Sequence, residues 1–89
     1  MNRLYIISFP TQIDRDELIK YLSDNNKIGH WFFSLPYSFF AHSTLTAQQI
    51  YQFVEAKYGE SHRFFVGELS LSNYYGRMPQ DHWTDFRPK

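Results

Sequence analysis

Apolar and polar positions along this chain follow two periods. From Ala47 through Ile50 and Val54 to Tyr58 the apolar residues fall three and four apart, one stripe of a helix that Phe53 widens. Elsewhere they come as short runs bounded by Pro, Gly and small polar residues, as strands do. Two segments, "IDRDELIKYL" (Ile13–Leu22) and "LTAQQIYQFV" (Leu45–Val54), open alike. Each has an aliphatic residue, then an N-cap (Asp14 or Thr46), then Glu17 or Gln49 three residues on. Leu18 or Ile50 follows, placed to staple onto Ile13 or Leu45. The signature predicts helices over about Arg15–Ser23 and Ala47–Tyr58. The first stops in "SDNNK" and the second on Gly59.

Strands are predicted over Arg3–Phe9, Ile28–Leu35, Ser38–Ser43 and His62–Leu69, with Pro36 marking a reversal between the middle two. The order is β-α-β-β-α-β. This is an α+β chain of the ferredoxin-like split βαβ kind, an antiparallel sheet with both helices on one face. Its 89 residues make one domain, 1–89, whose last part, 70–89, is an aromatic tail.

Two helices cover one face of such a sheet, and the other should be polar if it meets water. It does not read as polar. Leu4 and Ile6 point one way and Tyr5, Ile7 and Phe9 the other; Trp31, Phe33 and Leu35 oppose Phe32, and Phe39 opposes Phe40. The expectation is that Tyr5, Ile7 and Phe9 form an interface, joined by Tyr74, Tyr75, Arg77 and Trp83 of the tail "YYGRMPQDHWTDF". A homodimer is the expected state.

Composition narrows the chemistry. Lys plus Arg equals Asp plus Glu at 9 each, so the basic surplus that duplex DNA demands is lacking. Cysteine is absent, which excludes disulfides, thiolate metal sites and a Cys nucleophile. "MNRLYIISFP" is too short an apolar run for a secretion signal or membrane span, so a cytoplasmic location without membrane partners is expected. Of the histidines at 30, 42, 62 and 82, none has a partner at metal-ligand spacing, and no cofactor or metal is expected. His30 and His42 lie equally far from Pro36 and should face each other across the hairpin. Paired imidazoles are the one candidate for acid–base catalysis, as in metal-independent RNA cleavage.

The stretch "SFFAHSTLTAQQIYQFVEAKYG", a strand passing through a Ser/Thr link into a capped helix, is similar to the third strand and second helix of type V endoribonuclease antitoxins. As a pattern, nearly the whole chain resembles that group, with the CRISPR-associated adaptation subunit and the virulence-associated protein D ribonucleases. The resemblance implies dimerisation through the sheet face or C-terminal strand and a toxin–antitoxin, phage or defence setting. The Asp that serves the nuclease site of the latter two, at the end of their first strand, is Ser8 here. No acidic residue precedes Asp14, and metal-dependent nuclease activity is not expected. "LYIISF" and "YSFFAH" also resemble the ribonucleoprotein motifs of RNA-recognition domains. That likeness implies Tyr5, Tyr37 and Phe39 as stacking faces for RNA bases. The sequence thus favours a small, non-enzymatic binding protein, with an RNA-cleaving or RNA-binding protein of the antitoxin kind as the alternative.

Overall fold

The computed structural model of the chain describes residues 2–33 and 35–70. Tyr74, Tyr75, Arg77, Trp83 and the rest of the predicted tail from residue 71 lie outside the described residues. Helix α1 (Arg15–Asp24) starts on Asp14, whose carboxylate accepts the Asp16 amide at 3.0 Å. Glu17, expected to return the bond, instead meets Lys57 of the second helix at 3.3 Å. The exit is a left-handed turn at Asn26 (φ 58°), with Lys27 N–H donating to Leu22 C=O at 2.9 Å and Asn26 N–H to Ser23 C=O at 3.0 Å. Helix α2 (Ala47–Tyr58) carries the full capping box. Thr46 Oγ1 accepts from Gln49 N–H at 3.2 Å, and Gln49 Oε1 accepts from Thr46 N–H at 2.9 Å. Thr46→Ala is therefore expected to lose about 0.5–2 kcal/mol in urea unfolding. An unchanged midpoint would remove the cap from the account.

The helices lie side by side. The Tyr21 ring stacks on Phe53 at 4.6 Å and its hydroxyl donates to Phe53 C=O at 2.9 Å. Burial, with the carboxylates of Glu17 and Asp14 behind it, pushes the neighbouring Tyr58 hydroxyl up to about 12. It therefore stays neutral at ordinary pH.

Strands β1 (Arg3–Ser8), β2 (Trp31–Phe32), β3 (Ser38–Ser43) and β4 (Phe65–Glu68) form one antiparallel sheet in the order β2-β3-β1-β4. Each β-α-β half leaves a gap that a strand of the other half fills. β2 is much shorter than the predicted Ile28–Leu35. Beyond Trp31 its pairing changes: Gly29 N–H donates to His42 C=O at 2.7 Å, and His42 N–H donates to His30 C=O at 2.9 Å. Two residues there share one partner, a β-bulge that ends the regular ladder.

The sheet is apolar on both sides. On one side Tyr5, Ile7, Phe9, Phe39 and Ala41 pack beneath Leu18, Ile19 and Leu22 of α1 and Ile50 and Val54 of α2. This corrects the expected interface: Tyr5, Ile7 and Phe9 are sealed under the helices, the last at 6% exposure. The reason is parity. Both stripes of β1 are apolar, so alternation shows that two faces are dry but not which one the helices take. The helix-free side holds Leu4, Phe32 and Phe40, with Ile6 and Leu69 packed against them.

Candidate binding face

The even-numbered residues of β1, β2 and β3 build the helix-free face. Register sets Ile6 against Phe40 and Phe40 against Phe32, while Leu4 faces His42. Phe32 and Phe40 stack at 5.1 Å with 20° between planes. His30 lies 6.0 Å from the Phe32 ring and 6.0 Å from the His42 ring, so two imidazoles and two phenyls form a quartet across β2 and β3. The mirror relation about Pro36 did bring His30 and His42 together. They are unequal, however: His30 is exposed, whereas His42 is 1% accessible. Leu4, at 1%, and Phe40, at 7%, are also buried, all within a single chain. Most of this face is a second core rather than an open platform.

Exposed apolar surface gathers instead at the two edges. At the β4 edge, Phe65 is 62% exposed on the helix-free side. Its ring lies across Gly67, where an added Cβ would stand 2.6 Å from the ring. At the β2 edge Trp31 is exposed, as are Leu35 and Tyr37 in the turn that leads to β3. The Arg15 guanidinium sits 3.6 Å over the Phe33 ring, and Trp31 runs parallel to Phe33 at 6.3 Å, within 4°. The sequence reading had missed both edge features. Trp31 and Phe33, two apart on one strand, were the available signal for the second.

Of the predicted RNA-stacking residues, only Tyr37 reaches solvent. Tyr5 and Phe39 are at 1% and 0%, and the Tyr5 hydroxyl donates to the Leu45 carbonyl. A base could not stack on Tyr5 or Phe39 without lifting the helices.

Several of the described cations are held by carboxylates or aromatic rings. Arg3 stands near Glu68 (3.9 Å), Lys20 beside Asp24 (2.9 Å) and Lys57 beside Glu17 (3.3 Å), while Lys27 lies over Phe53. Among the described residues no three His, Cys, Asp or Glu side chains are grouped to hold a metal ion. No described helix is long and apolar enough to cross a membrane. Compared with protein-family models, curated proteins and solved structures, the chain matches none of them.

Proposed function

We propose that this is a small non-enzymatic binding protein of the split βαβ, ferredoxin-like kind, working as a homodimer in the toxin–antitoxin, phage or defence setting that its resemblance implies. The observation that carries the reading is Phe65. A large apolar ring at 62% exposure adds little to folding, yet it continues the helix-free apolar row of Leu4, Ile6 and Leu69 to the margin of the sheet. Aromatic side chains in such positions are typical of association surfaces. The dimer is not needed to cover Tyr5, Ile7 and Phe9, which the helices already cover. Light scattering across a concentration series should approach twice the 10.8 kDa chain mass. A chain mass that stays at one copy at every concentration would refute the homodimer.

The His30–His42 pair, 6.0 Å apart, favours metal-independent RNA cleavage as the second reading. Acid–base catalysis requires both groups to reach the substrate, and His42 is 1% accessible. Purified protein is accordingly expected to leave RNA uncut with magnesium, manganese or chelator. Cutting that persists in chelator and disappears in His30→Ala would reverse the order of the two readings.

A further inference from the structure

The hydrogen-bonding parity of β4 shows which way its backbone faces. Leu69 N–H donates to Leu4 C=O at 2.8 Å, so Leu4 and Leu69 form a bonded pair continuing the register Tyr5–Glu68, Ile6–Gly67, Ile7–Val66 and Ser8–Phe65. Bonded and non-bonded pairs alternate in an antiparallel ladder. Gly67 and Phe65 therefore bond to β1, while Val66 and Glu68 turn their N–H and C=O groups away from it. β4 ends the strand order, and no described strand lies beyond it. It also lacks the proline or lysine that commonly guards an exposed edge.

We infer that this edge pairs with β4 of a second copy, antiparallel and centred on Val66. The inference rests on the dimeric reading above and specifies its contact. A second copy is the occupant because β4 complements itself. Centred on Val66, the pairing places Phe65 opposite Gly67 of the partner subunit, and Gly67 opposite the partner's Phe65. These are close, non-bonded positions, where a residue without a side chain leaves room for a ring. The ring already lies across Gly67 of its own strand, so two glycines would form the floor beneath two phenyls. Glu68 falls opposite Phe64 of the partner subunit, which keeps the two Glu68 carboxylates apart. The two sheets become one, with their helix-free faces side by side. A four-residue strand offers few bonds, so the dimer should dissociate on dilution.

The full chain has no cysteine, so a disulfide can report the contact. The double variant Phe65→Cys/Gly67→Cys places two thiol pairs directly opposite each other and removes the ring that a Cβ at 67 would strike. It is expected to cross-link to a dimer under mild oxidation, whereas Phe65→Cys alone should not. Val66→Pro removes an outward N–H and leaves the β1 ladder intact, and should weaken dimerisation at least tenfold in sedimentation. If circular dichroism shows that variant unfolded, the cross-link decides. Wild-type protein that is dimeric, yet is neither cross-linked by the cysteine pair nor weakened by the proline, overturns the edge pairing and leaves the homodimer standing. Cross-linking by Phe65→Cys/Leu69→Cys instead overturns the Val66 centre. A monomeric wild type overturns both readings.

Discussion

Replacing Phe39 by alanine is expected to remove about 3–5 kcal/mol of folding stability, the usual cost of emptying a buried phenylalanine site. A domain of this length holds only about 4–13 kcal/mol in total, so the loss is a large share of it. Phe39 is fully buried, faces Ile7 across the central strand pair, and lies 6.2 Å from the Phe9 ring beneath both helices. The site is walled by β-strand and helix on opposite sides, and neither can collapse far into the space. Urea unfolding followed by circular dichroism measures the loss. A change below 1 kcal/mol would mean that the helix-side core is not centred where the packing places it.

Phe40→Ala is expected to cost a similar amount, toward the lower end of the same range, although it lies on the side of the sheet that carries no helix. Its 7% exposure and its stack on Phe32 make that side a second core. Phe65→Ala is the control. It shares the face but is largely exposed, so it should change folding stability by no more than about 0.5 kcal/mol. If the two substitutions were equally mild, the helix-free side would be surface and the two-core description would fail.

The capped helices were legible because their signals are local. Thr46 and Gln49 need only each other, and α2 begins and ends where the sequence places it. Glu17 shows the limit: its expected capping partner, Asp14, is three residues away in the chain, but its carboxylate meets Lys57 of α2, a competitor visible only once the helices pack. The His30–His42 proximity was legible from a mirror count about Pro36. The burial of His42 was not, because it depends on what lies over a whole sheet face. Likewise "HRFFVGEL" reads as a strand from its Phe64–Phe65–Val66 run, with nothing to say whether that strand is central or at an edge. Its place at the sheet edge leaves Phe65 in water, and edge position is a property of topology rather than composition. The faces of β1 were undecidable for the reason already given: both of its stripes are apolar.

The central position of β1 has a kinetic consequence. It is the first strand in the chain, yet it pairs on both sides with strands that come much later. Tyr5 meets Ala41 and Glu68, separations of 41 − 5 = 36 and 68 − 5 = 63 residues. Among the described residues the one short-range strand pairing is that of β2 with β3, with two regular residue pairs before the bulge. No zipper can therefore run from a stable hairpin through the rest of the sheet. The long loops must be closed before most of the ladder exists to offset their entropy, which places folding in the slower range of mixed α/β domains rather than among microsecond helical folders. Until the helices dock over Tyr5 and Ile7 and the later strands arrive, the apolar stripes of β1 are uncovered, and that interval is when this chain is most exposed to aggregation.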